Sequence, residues 1–98
     1  MKHQFTPEAA KDYEGVALYY RTISKQVADF FVEEIQTGIA LIEKFPEAWP
    51  QVDRKTRCFL GNKFPYEIYY RIVENTIQIG GIMALKRKPG LWKRRFQR

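Results

Sequence analysis

Ten side chains in the C-terminal half combine cationic and aromatic chemistry: Arg57, Lys63, Tyr69, Arg71, Lys86, Arg87, Lys88, Trp92, Lys93 and Arg95. Two kinds of nucleic-acid chemistry suit such a set. Arginine and lysine bind phosphate oxygens by charge-assisted hydrogen bonds while tyrosine or tryptophan stacks on bases. The same groups can cleave RNA without a metal, with arginine stabilising the pentavalent phosphorane and a lysine of depressed pKa removing the 2′-OH proton. A third reading needs no nucleic acid: a solubilising basic segment that also contacts an acidic partner protein. Composition alone ranks this last reading first, phosphate binding second and catalysis third.

The distribution of charge sharpens the choice of partner. Residues 86–98 hold seven Lys or Arg and no acid, whereas residues 1–85 hold ten basic and eleven acidic side chains. The net charge of +6 is therefore a near-neutral body with a cationic end. That end follows directly from a β-patterned hairpin, so folding places the charge. Polyanionic or acidic partners are the ones it attracts.

Other chemistries find little support. His3 is the sole histidine, and the segment around it suggests neither a carboxylate partner nor a pocket, so a surface position is expected. Cys58 alternates with Arg57 and Phe59 in a strand and reads as a buried small hydrophobe rather than a nucleophile. It cannot close an internal disulfide, which fits a reducing cytoplasm. With one His and one Cys, no metal site is expected, and no cofactor. Asp12, Glu14, Glu33 and Glu34 read as solvated helix-face positions, and Gly80-Gly81 lacks the context of a phosphate loop. The chain lacks a long apolar run and an apolar leader, so neither a membrane span nor a signal peptide is expected.

The elements that must position these groups are legible. A short edge strand is expected over residues 2–5. Thr6-Pro7 reads as N-cap and first helical residue. From there Ala9, Tyr13, Val16, Ala17 and Tyr20 recur at helical spacing to about Thr22. Gly15 inside this helix suggests a close helix approach. Ser24 caps a second helix marked by Val27, Phe31, Ile35, Gly38, Ile42 and Phe45, and Pro46 ends it. Residues 47–55 form a loop. The period then changes to two: a strand at Thr56–Leu60, a turn at Gly61-Asn62, and a strand with Tyr66, Ile68, Tyr70 and Ile72 on one face and Glu67, Tyr69, Arg71 and Val73 on the other. A tight turn at Glu74-Asn75 leads to a strand with Ile77, Ile79, Gly81, Met83 and Leu85 on one face, with Gly80-Gly81 suggesting a bulge or backbone pressed against a helix. Pro89 stops it, and a short helix is expected over 91–96. The order is β-α-α-β-β-β in a single domain spanning 1–98: an α+β fold, a helical hairpin packed on a small antiparallel sheet.

Taken together, Arg57-x6-Phe64-Pro65-Tyr66-x-Ile68-Tyr69-Tyr70-Arg71-Ile72, then Ile77-x-Ile79, then Arg87-x-Pro89-x-x-Trp92-x-x-Arg95 resemble the RelE/ParE toxin superfamily of type II toxin–antitoxin systems. The ParE-like, or plasmid-stabilisation, branch fits best, and the similarity covers nearly the whole chain. The resemblance implies the β-α-α-β-β-β fold and neutralisation by a cognate antitoxin, with Arg57, Tyr69, Arg71, Lys86, Arg87, Lys88, Trp92 and Arg95 as candidates for target or antitoxin contact. ParE-like members are associated with poisoning DNA gyrase by binding. RelE-like members are instead ribosome-dependent mRNA endonucleases, and as one of them this chain would use Arg57, Lys63, Lys86 and Arg87. Glu67 stands where the nucleases carry an arginine and Trp92 where they carry a tyrosine; Arg87 matches them. Lys86 stands where ParE-like chains often carry histidine. The resemblance thus implies a gyrase poison first, an mRNA endonuclease second and a non-toxic antitoxin-binding relic third.

Overall fold

The computed structural model describes residues 1–61 and 66–84. Strand β1 (Lys2–Phe5) leads into helices α1 (Pro7–Ile23) and α2 (Lys25–Lys44), followed by β2 (Thr56–Leu60), β3 (Tyr66–Val73) and β4 (Thr76–Ala84). This is the expected α+β order. The terminal helix expected over 91–96 lies outside the described residues.

Local chemistry sets the helix ends. The Thr6 hydroxyl accepts from Ala9 N–H at 3.1 Å, and Pro7 occupies the first turn, where no donor is needed. Ser24 alone joins the helices. Its N–H donates to the Tyr20 carbonyl, ending α1, and its side chain accepts from Val27 N–H at 3.0 Å, starting α2.

The sheet order is β1-β4-β3-β2. β2, β3 and β4 form an antiparallel meander, and the two-residue turn between β3 and β4 has positive φ at Glu74 (50°) and Asn75 (62°), the conformation whose twist matches a hairpin. β1 pairs with β4 in parallel, so the sheet is mixed rather than wholly antiparallel. The reason is connectivity: no tight turn joins these two strands, and a long connection through two helices permits the parallel pairing.

Both helices cover one sheet face. Phe31 lies fully buried at the centre, with ring centroids of Tyr66, Tyr20 and Tyr13 at 5.2, 5.4 and 6.0 Å. Ile35, Ile39, Ile42, Phe59, Ile68, Tyr70, Ile77, Ile79 and Ile82 are buried in the same core. The expected bulge is present: Tyr69 pairs with Gly81 and Tyr70 with Ile79, leaving Gly80 as the extra residue. It corrects the simple alternation. Ile77 and Ile79 face the helices, but beyond the bulge Ile82 takes over that face. Gly81, opposite Tyr69, and Met83, which packs on Tyr69, go to the other face. Asp12 holds this irregularity, its Oδ2 accepting from Ile82 N–H at 3.1 Å, so it is not a purely solvated helix-face residue.

The close approach falls at Gly38, not Gly15. A Cβ on Gly38 would sit 2.8 Å from the Phe59 ring and 3.3 Å from Ile68 Cδ1, whereas one on Gly15 would meet nothing within 4 Å. Alanine gains about 1 kcal/mol over glycine in a helix, and overpacking a filled core costs about 1–3 kcal/mol. Gly15→Ala is therefore expected to raise the urea midpoint, and Gly38→Ala to lower it. Equal shifts of the same sign would contradict the packing.

Candidate binding face

The sheet face opposite the helices is built from alternate residues of three strands. Register places Thr56 across from Arg71 and Cys58 across from Tyr69, with Glu67 two residues along the same face of β3. Glu67 organises this surface. Its Oε2 accepts from the Cys58 thiol at 3.1 Å and its Oε1 from the Tyr69 hydroxyl at 2.9 Å. Burial, and then the neighbouring Glu67, push the Cys58 thiol up to about 12. Burial and the Glu67 hydrogen bond likewise raise the Tyr69 phenol. Both groups thus stay protonated as donors, and neither is a ready nucleophile or base. Cys58 is half-buried and hydrogen-bonded rather than a buried hydrophobe.

Arg71 extends this surface toward the loop after α2. Its Nε donates to Thr56 Oγ1 at 2.8 Å, and its Nη2 lies 4.0 Å from Asp53 Oδ2. Burial acts to raise the Asp53 carboxyl, but hydrogen bonds from Lys55 and Thr56 and the Arg71 charge outweigh it, and the pKa is lowered. Arg57 faces the other way. Register groups it with Tyr70 on the helix side, and its Nη1 donates to the carbonyls of Glu47 at 3.0 Å and Trp49 at 2.6 Å. It pins the loop, as does the Tyr70 hydroxyl, which donates to the Pro46 carbonyl at 2.7 Å.

Of the residues selected from sequence, Tyr69 and Arg71 share a face and Arg57 does not. Arg57 and Arg71 nevertheless meet at the sheet end, where both line a concavity together with Arg54 and Lys55. Lys63, Lys86, Arg87, Lys88, Trp92, Lys93 and Arg95 lie outside the described residues. His3, expected without a carboxylate partner, has one: its Nδ1 lies 3.1 Å from Glu43 Oε2 at the end of α2. Among the described residues no cluster of His, Cys, Asp or Glu is arranged to hold a metal, and no helix is long and apolar enough to cross a membrane.

Residues 4–89 match the family model of the ParE toxin of type II toxin–antitoxin systems. The chain belongs to the ParE toxin family. A solved structure of the chromosomal ParDE toxin–antitoxin system from P. aeruginosa is similar to it at 16% identity, with a TM-score of 0.65, covering 88% of this chain and 97% of that one. At that identity the likeness concerns the fold, and it supports the helical hairpin on a four-stranded sheet. No curated protein matches the sequence. Sequence reading of this ParE-family chain missed Arg54 and Lys55. The signal was there: Asp53-x-x-Thr56 has the spacing of a side-chain-capped turn, and Asp53 Oδ1 accepts from the N–H groups of Lys55 at 2.9 Å and Thr56 at 2.8 Å.

The protonated cluster makes this ParE-family fold sensitive to alkali. The Cys58 and Tyr70 pKa values rise from 9.0 and 10.0 to about 12, for both groups chiefly through burial, and that of Tyr69 is raised as well. Their contribution to stability is fully present below the unfolded values. As pH climbs from about 9 through 12 the unfolded chain releases protons that the folded chain retains, and that stability is lost. The urea midpoint is expected to fall across this window. At pH 8 the folded chain also holds far less Cys58 thiolate than the unfolded chain, so iodoacetamide should alkylate it more slowly. Equal alkylation rates with and without urea would contradict this.

Proposed function

We propose that this chain, as a type II toxin, arrests growth by binding DNA gyrase in the cytoplasm, that it acts without catalysing RNA cleavage, and that a cognate antitoxin neutralises it. The observation that carries the reading is Glu67. In a chain of the ParE family, this carboxylate stands on the sheet face opposite the helices and accepts hydrogen bonds from both the Cys58 thiol and the Tyr69 hydroxyl. A negative charge there repels a scissile phosphate, and neither donor is available as a base at neutral pH. Tryptophan at position 92 adds only an N–H donor and no proton-transfer acid.

The cationic segment 86–98 supplies the charge for an acidic antitoxin segment and for a nucleic-acid-associated target. Lys86, Arg87, Lys88, Trp92 and Arg95 are its contact residues in this reading, with Tyr69 and Arg71 contributing from the sheet. The test is a map of new mRNA 5′ ends minutes after inducing the chain without its antitoxin. Arrested cells with intact messages are expected. Cuts clustered inside translated codons would make the chain a ribosome-dependent nuclease.

A further inference from the structure

The concavity at the sheet end has a volume of about 700 Å³, and Arg54, Lys55, Arg57 and Arg71 line it with Gln51 and Gln78. Glu74 is the carboxylate among its described lining residues, and Asp53, behind the lining, has its Oδ2 4.0 Å from Arg71 Nη2 and offsets part of that charge. Two of these cations have fixed side chains, and the other two stand on a fixed turn. Asp53 caps the turn that presents Arg54 and Lys55, the carbonyls of Glu47 and Trp49 fasten Arg57, and Thr56 fixes Arg71. The loop itself is laced to β2, Cys58 N–H donating to the Pro50 carbonyl at 3.0 Å and Val52 N–H to the Thr56 carbonyl at 2.8 Å. The Arg57 and Arg71 side chains, ordered before binding, lose little entropy on contact.

The ligand follows from what lines the site. Four cations with two side-chain amides suit successive phosphates. No aromatic ring is among the described lining residues, so unstacked bases would find no platform there. That favours a duplex over a single strand. We propose that the concavity seats phosphates along one strand of duplex DNA, without reading sequence. The duplex preference stands on the lining alone, while the choice of DNA over RNA rests on the gyrase reading above. Arg54 and Lys55 thereby gain a role separate from the cationic C-terminal segment.

The test is fluorescence anisotropy of a labelled 20-base-pair DNA with the purified full chain, titrated across salt concentrations. Arg54 and Lys55 are both exposed, so Arg54→Glu with Lys55→Glu should leave the fold intact, as circular dichroism and the urea midpoint will verify. Each lost phosphate contact removes about 0.9 from the slope of log K against log salt. The double reversal is expected to flatten that slope by about 2 and weaken binding at least about ten-fold at low salt. Arg54→Gln with Lys55→Gln should fall between variant and parent. The C-terminal cations are unchanged throughout, so the difference reads the concavity. Unaltered affinity and slope in either folded variant, or a single strand bound as tightly as the duplex, would overturn the proposal. So would preference for an RNA duplex. Gyrase is absent from the assay, so a negative result leaves the gyrase reading standing.

Discussion

Reversing charge at Arg87 and Arg95 together, Arg87→Glu with Arg95→Glu, is expected to abolish growth arrest while the domain stays folded. The two residues belong to a segment of seven basic and no acidic side chains that begins just after β4. The substitution changes the segment's net charge from +7 to +3, and electrostatic attraction to an acidic or nucleic-acid-bearing partner falls with it. Among the described residues, by contrast, the buried core lies within residues 9–83. Induction of the variant without antitoxin, with circular dichroism on the purified protein, separates the effects. Undiminished arrest by the folded variant would remove the cationic segment from the mechanism.

The second large effect concerns stability. Phe31 and Phe30 are neighbours on α2, yet Phe31 is 0% exposed and Phe30 54%. Truncating a fully buried phenylalanine costs about 3–5 kcal/mol, because the transfer energy is lost and the cavity collapses only in part. Phe31 also carries the contacts to Tyr13, Tyr20 and Tyr66, which join α1, α2 and β3. A domain of this size has about 5–15 kcal/mol in total. Phe31→Ala should therefore lower the urea midpoint severely and populate unfolded chains, whereas Phe30→Ala should move stability by no more than about 0.5 kcal/mol. Similar midpoints for the two variants would contradict the core.

What was legible in the sequence was local chemistry. Thr6-Pro7, Ser24 and Phe45-Pro46 punctuate the helices because capping and proline sterics act within a few residues, and Glu74-Asn75 forms the turn it suggests. What was hidden depends on partners distant in the chain. The bulge at Gly80 was readable, but its consequence for Met83 needed the register of β3. Asp12 meets Ile82 across 70 positions and His3 meets Glu43 across 40, so neither contact has a sequence period. Gly15 and Gly38 look alike until the helix is set against Phe59. Likewise, nothing local says that Arg57 turns away from Tyr69 while meeting Arg54, Lys55 and Arg71 at the sheet end.

The most direct measurement is of gyrase itself: purified enzyme, supercoiled plasmid, ATP and the folded chain, with protein-linked DNA breaks scored after detergent. Breaks that rise with the chain's concentration, vanish when the antitoxin is added and do not form without gyrase are the predicted result. Unaffected supercoiling and no trapped breaks at molar excess of the chain would contradict the account.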